Sequence, residues 1–68
     1  MKISARNVIK GKVLDVAKGV TTAHVRIDVG GTTVTASITN EAVDELGLAK
    51  GMTVSAVIKS SDVMVAID

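Results

Sequence analysis

The sequence predicts an all-β chain interrupted by one short helix, on three observations. Two segments, Thr22 to Val29 and Thr32 to Ile38, alternate apolar and polar residues strictly about the pair Gly30 and Gly31. That is the pattern of a hairpin with a two-residue turn. A single stretch, Asn40 to Leu46, carries helix caps at both ends. Strand-like runs stand before the hairpin and after the helix, so the order is three strands, a helix and two strands. This is the order of a five-stranded Greek-key barrel of the OB type. Residues 1–68 read as one domain, because no proline, linker, low-complexity tract or internal repeat divides them.

In chain order, Val8 to Val16 places Val8, Ile9, Val13, Leu14 and Val16 among Lys10, Gly11, Lys12 and Asp15. Apolar residues on both faces suit a long, bent strand, with Gly11 supplying the bend or bulge. Ala17 to Thr21, around Lys18 and Gly19, reads as a short loop. In the next strand Ala23, Val25, Ile27 and Val29 point inward, against Thr22, His24, Arg26 and Asp28 outward; its partner turns Val34, Ala36 and Ile38 inward. Thr39 is a good N-cap, Glu41, Asp44 and Glu45 suit a helix N-terminus, and Gly47 is placed for a left-handed C-cap. Ala42, Val43, Leu46 and Leu48 form the stripe that docks this helix over one end of the barrel. Met52 to Lys59 alternates again and gives the fourth strand. After a polar turn at Ser60, Ser61 and Asp62, Val63 to Ile67 is apolar at every position. A fifth strand of that kind is covered on both faces, one of them by another subunit.

Composition narrows the class. A chain of 68 residues buries only about 60% of its unfolded surface. Without Cys it has neither a disulfide framework nor a thiolate zinc site, and one His builds no metal site alone. Oligomerisation is the remaining common remedy. No run approaches a membrane span and no signal peptide is present, so the expectation is a cytoplasmic protein without a membrane partner.

OB barrels commonly bind single-stranded nucleic acid by stacking bases on aromatics in a positive groove. This chain has no Phe, Trp or Tyr and a formal net charge of +1, which argues against a nucleic-acid partner. Enzyme chemistry is equally thin. His24 is a lone strand residue beside Arg26, and Glu41, Asp44 and Glu45 read as helix-dipole partners rather than a catalytic pair. The expectation is no catalytic activity. Two polar segments remain: Ser4, Ala5, Arg6 and Asn7 before the first strand, and Lys59, Ser60 and Ser61 after the fourth. Each offers hydroxyls, main-chain N–H groups and one cation, with no carboxylate facing in. An acceptor-only oxyanion requires that inventory.

Those segments, together with Gly19 through Ala23, Ile38 to Glu41, Leu46 to Leu48 and Ile58, resemble the molbindin (Mop) family of molybdate-binding proteins over nearly the whole chain. The resemblance implies an OB-like single Mop domain and a homohexamer, a trimer of dimers, that binds molybdate or tungstate at subunit interfaces with no covalent cofactor. It implies one class of site made of Ser4, Ala5, Arg6 and Asn7 from one subunit with Lys59, Ser60 and Ser61 from a neighbour. A second class near the threefold axis uses Gly19, Val20, Thr21 and Thr22; many relatives have Asn where this chain has Thr22. No direct cation ligand is implied. The role implied is binding, storage and homeostasis of the anion.

Two alternatives come from other classes. A pterin-cofactor (molybdopterin) binder needs an aromatic platform or a deep apolar pocket, and the chain has no aromatic. A purely structural oligomerisation module cut from a regulator or transporter is the other, against which a start at Met1 and an end at Asp68 favour a stand-alone protein. Sulfate shares the acceptor pattern of molybdate and tungstate, so cavity size decides among the three. Hydrogen phosphate is disfavoured because its proton needs an acceptor.

Overall fold

The computed structural model describes residues 1–68. Its elements are β1 (Asn7–Lys18), β2 (Thr22–Asp28), β3 (Thr33–Thr39), α1 (Asn40–Leu46) and β4 (Thr53–Ile58), then a 3-10 turn over Ser60–Asp62. All pairings are antiparallel, and the strands form one curled sheet in the order β3-β2-β1-β4. The alternation of β2 is what the core is built on: Ala23, Val25 and Ile27 are buried while Thr22, His24 and Arg26 face out. Val13 from β1, Val43 from α1 and Ala56 from β4 complete the buried cluster.

Turn chemistry fixes the hairpin. Gly30 and Gly31 lie at φ 96° and 93°, where a side chain is strained, and Val29 N–H donates to the Thr32 carbonyl at 2.8 Å. The Asp28 carboxylate accepts from both glycine amides, at 3.2 and 2.9 Å, and holds the turn closed. The bulge of β1 is at Leu14, not at Gly11: the register steps from Val13↔Ile27 to Asp15↔Arg26 and leaves Leu14 unpaired. Gly11 stays in regular ladder with Val54. A Cβ there would run into the Asp28 carbonyl oxygen and lie 2.7 Å from Ile27 Cγ2, so this glycine permits the close crossing of β2 over β1.

The helix is capped as its sequence requires. Thr39 Oγ1 accepts from Ala42 N–H at 3.0 Å, and Gly47 sits at φ 61°, donating to the Asp44 and Val43 carbonyls. Val43 is the residue that docks it; Leu46 is 64% exposed and contributes little to the stripe expected of it. Asp44, rather than serving the helix N-terminus, binds Lys18 Nζ at 2.5 Å.

The fifth strand is the main correction. Val63–Ile67 belongs to no sheet, and Met64, Val65 and Ile67 are 93%, 90% and 94% exposed. The barrel is therefore open, with β3 and β4 as its two free edges. Between them lies a cleft of about 750 Å³, lined by 15 residues of which 12 are hydrophobic, among them Val34, Ala36, Ile38, Leu48, Val54 and Ile58. A run apolar at every position needs cover on both faces, and within one chain it has none.

Candidate anion-binding site

The antiparallel ladder between β1 and β4 ends at the pair Asn7↔Ile58, and the Asn7 side-chain amide donates to the Ile58 carbonyl at 3.2 Å. The next residues outward are Arg6 on one strand and Lys59 on the other. The two polar segments, Ser4–Asn7 and Lys59–Ser61, thus extend from the same end of the sheet. The expectation from resemblance put these halves on different subunits. Pairing across 51 residues of sequence sets both segments at the same end of the sheet in each copy.

Local structure explains how they present their groups. Ala5 is buried and anchors its segment, while Ser4 and Arg6 on either side of it are exposed. Lys59 is extended at φ −66°, ψ 142° and leads into the 3-10 turn, which is closed by Asp62 N–H to the Lys59 carbonyl at 2.9 Å. The amides of Ser60 and Ser61 donate to nothing in the chain. Neither do the side chains of Ser4, Arg6, Lys59, Ser60 and Ser61 form any hydrogen bond or ion pair in it. The ion pairs the chain does form, Lys18–Asp44 and Arg26–Asp15, lie elsewhere. Two cations and three hydroxyls on these segments therefore have their donors unspent within the chain, the inventory that an acceptor-only anion requires.

The second segment, Gly19–Thr22, lies at the far end of β1, about 36 Å of strand contour away. Gly19 N–H donates to the Thr22 carbonyl at 2.8 Å, and Thr21 and Thr22 hydroxyls approach to 3.5 Å. Asn40 organises the loop: its side-chain amide donates to the Gly19 and Val20 carbonyls at 3.0 and 3.3 Å, and its main-chain N–H to the Thr21 carbonyl at 2.9 Å. With three carbonyls held there, the amides of Val20 and Thr21 are left without acceptors in the chain. Asn40 Oδ1 is buried and unpaired. The nearest cation in sequence, Lys18, is spent on Asp44, so this loop offers main-chain donors without a free charge. Asn40 is the residue that sequence reasoning took only for a helix position. Its signal was an Asn directly after Thr39, which already supplies the cap.

Elsewhere the electrostatics are structural. Arg26 donates through Nε and Nη2 to Asp15 Oδ2 at 2.9 and 2.6 Å. That hydrogen bond holds the Asp15 carboxyl below the ordinary carboxylate range and pushes Arg26 up. No helix is long and apolar enough to cross a membrane.

Comparison with known proteins bears on this geometry. The model of the TOBE domain matches residues 3–65. Molybdenum-pterin-binding protein 1 of Clostridium pasteurianum is 50% identical over 66 residues, which are 96% of this chain and 97% of that protein. A molybdate-binding protein from Sporomusa ovata superposes with a TM-score of 0.95 at 36% identity, covering 98% of this chain and 100% of its own. ModG, described as a cytoplasmic molybdate-binding protein and solved with molybdate bound, superposes with a TM-score of 0.89 at 43% identity; the match covers 94% of this chain and 46% of that one.

Proposed function

We propose, on the premise that this chain belongs to the TOBE-domain family and to its molbindin (Mop) group, that it binds molybdate where Ser4–Asn7 and Lys59–Ser61 meet. The observation that carries this reading is the pair of uncompensated cations, Arg6 and Lys59, set among three serine hydroxyls at the end of one ladder. A tetrahedral dianion accepts and never donates, so each donor there gains a partner and none is left opposed. Hydrogen bonds to an ion are the strong ones, about 1.5–3 kcal/mol each. The Gly19–Thr22 loop is a second, weaker oxyanion site, resting on the amides of Val20 and Thr21.

One chain covers such an anion from one side only, because both segments are exposed. A second copy supplies the rest of the shell, in a homo-oligomer for which the family resemblance gives a hexamer, a trimer of dimers. Ligand and assembly then stabilise each other by mass action. Reversible binding without a covalent cofactor or catalytic group suits storage and homeostasis of molybdate or tungstate in the cytoplasm. Calorimetric titration with molybdate, tungstate, sulfate and phosphate tests the reading. Saturable binding of the first two is expected, and no heat from either overturns it.

A second reading, pterin binding, has one observation in its favour, the apolar cleft between β3 and β4. Its polar lining is only Thr35, Ser37 and Ser55, few partners for a heterocycle rich in donors and acceptors. Titration with a free pterin separates the two.

A further inference from the structure

We infer that Asp44 sets the affinity of the Gly19–Thr22 oxyanion site: its carboxylate holds Lys18 and so competes with the bound anion for the cation that immediately precedes that loop. The inference rests on the reading of Gly19–Thr22 as a second site and not on the Arg6 and Lys59 site.

The loop and the helix are joined by two residues with opposite effects. The loop connects β1 to β2, and Lys18, the last residue of β1, pairs with Ala23 across its base. Its Val20 and Thr21 amides have no acceptor in the chain. Asn40 and Asp44 stand four residues apart on α1, which places them one turn from each other on the same side of the helix. Asn40 takes the loop's acceptors, donating to the Gly19 and Val20 carbonyls at 3.0 and 3.3 Å. Asp44 takes the loop's cation, accepting from Lys18 Nζ at 2.5 Å. Asn40 thus occupies groups that would oppose an anion, whereas Asp44 occupies the charge that would attract one.

The chain treats its two oxyanion segments differently in this respect. Arg6 and Lys59 have no ion-pair partner, while Lys18 has one. Both members of that pair are well exposed, so water competes with it and it adds little to the stability of the fold. Asn40 already ties the helix to the loop through three hydrogen bonds, its main-chain N–H donating to the Thr21 carbonyl as well. The flexible four-carbon stem of Lys18 lets its ammonium exchange one anionic partner for another. A dianion carries twice the charge of a carboxylate and draws Lys18 away, but only after the Asp44 pair is broken. The loop therefore binds more weakly than its amides and a free lysine would. As the anion concentration rises, the site with Arg6 and Lys59 fills first and the loop fills later.

The test is Asp44→Asn, which keeps the shape of the side chain and removes its charge. The isotope-labelled full chain is titrated with molybdate and followed by amide NMR, the Val20 and Thr21 amides reporting the loop and those of Ser60 and Ser61 the other site. The expected result is a dissociation constant that falls about three- to tenfold at Val20 and Thr21, from loss of an exposed ion pair and of the carboxylate's repulsion of the anion. At Ser60 and Ser61 it stays within about twofold. Asp44→Glu retains the parent affinity, and adding Lys18→Met to Asp44→Asn abolishes the gain. Glu45→Gln makes the same change in net charge at an exposed helix residue without an ion pair, and moves neither constant. A merely structural ion pair predicts the opposite sign, since loosening the loop weakens its site. An unchanged or raised constant at Val20 and Thr21 in Asp44→Asn overturns the inference, as does a gain that survives Lys18→Met or that Glu45→Gln reproduces. Saturating molybdate that moves Ser60 and Ser61 but neither Val20 nor Thr21, in parent and Asp44→Asn alike, overturns the second site itself, so the two failures are distinguishable.

Discussion

Removing the two free cations, Arg6→Ala and Lys59→Ala, separates binding from folding more cleanly than any other change in this chain. Each side chain is exposed and makes no hydrogen bond or ion pair within the chain, so each substitution shifts the stability of the ligand-free protein by no more than about 0.5 kcal/mol. At the proposed site each gives a dianion a charge-assisted hydrogen bond of about 1.5–3 kcal/mol. At about 1.4 kcal/mol per decade, the dissociation constant for molybdate rises about 10- to 150-fold per substitution. Arg6→Lys keeps the charge and loses the planar fork, and falls between the two. The Lys59 effect weakens with ionic strength because that ammonium acts as a point charge near solvent. Calorimetry supplies the affinities, and thermal unfolding of the ligand-free variants supplies the control. Affinities within twofold of the parent for both alanine variants would refute the placement of the site.

Four further outcomes follow from other parts of the fold. Gly11→Ala forces a Cβ against the Asp28 carbonyl and within 2.7 Å of Ile27 Cγ2, so it destabilises by about 1–3 kcal/mol or more; the melting temperature falls by about 4–8 °C per kcal/mol, and an unchanged one contradicts the close crossing. Thr39→Ala removes the helix cap and lowers stability by about 1 kcal/mol, whereas Thr39→Ser retains most of it in the same unfolding assay. Arg26→Met lets the Asp15 carboxyl return upward toward its ordinary value, measured by a carboxyl NMR titration. Because that carboxyl is depressed when folded, its contribution is present above the unfolded value and is lost as pH falls through the folded one, so parent and variant converge in stability at acid pH. Saturating molybdate slows the exchange of labelled for unlabelled subunits at least about tenfold, read by mass spectrometry of mixed oligomers; an unchanged exchange rate argues against an anion held between copies.

How much was legible depends on whether a feature is local. The β2–β3 hairpin was, since strict alternation and two adjacent glycines are sequence properties that the structure repeats at φ 96° and 93°. Thr39 and Gly47 were, since caps are chosen by residue type. The bulge was not: it is a property of register, and Leu14 looks like any strand residue until Val13 and Asp15 find consecutive partners on β2. Gly11 was noticed for the right reason, a missing side chain, and given the wrong role. Val63–Ile67 was read as a fifth strand with one face covered by another subunit, and its composition carries no sign that the segment pairs with no strand of its own chain. The two halves of the candidate site were recognised as chemistry, yet their leaving the sheet at the same end depends on the Asn7↔Ile58 pair, which no spacing encodes. Asn40 was hidden behind Thr39, because a second polar residue after a cap has no local reason to be there; its reason is the loop 21 residues back, at Gly19.

The turn Lys59–Asp62 joins these findings physically. It is at once one wall of the candidate anion site and the joint from which the tail leaves the sheet. Only seven of the 68 side chains are buried in a single copy, and large apolar residues such as Val8, Val57 and Val65 remain in water, so a lone chain has little to hold it folded. Whatever fixes the turn also fixes the direction in which Val63–Ile67 leaves the sheet. At the proposed site an anion among Arg6, Lys59 and the serines supplies that constraint, bridging the start of β1 to the turn. Neither Arg6 nor Lys59 has an ion-pair partner within the chain to take the place of such an anion. In the proposed arrangement the ligand need not reach the core to act on the fold: ordering Lys59, Ser60 and Ser61 at the end of β4 orders the start of the segment that follows them.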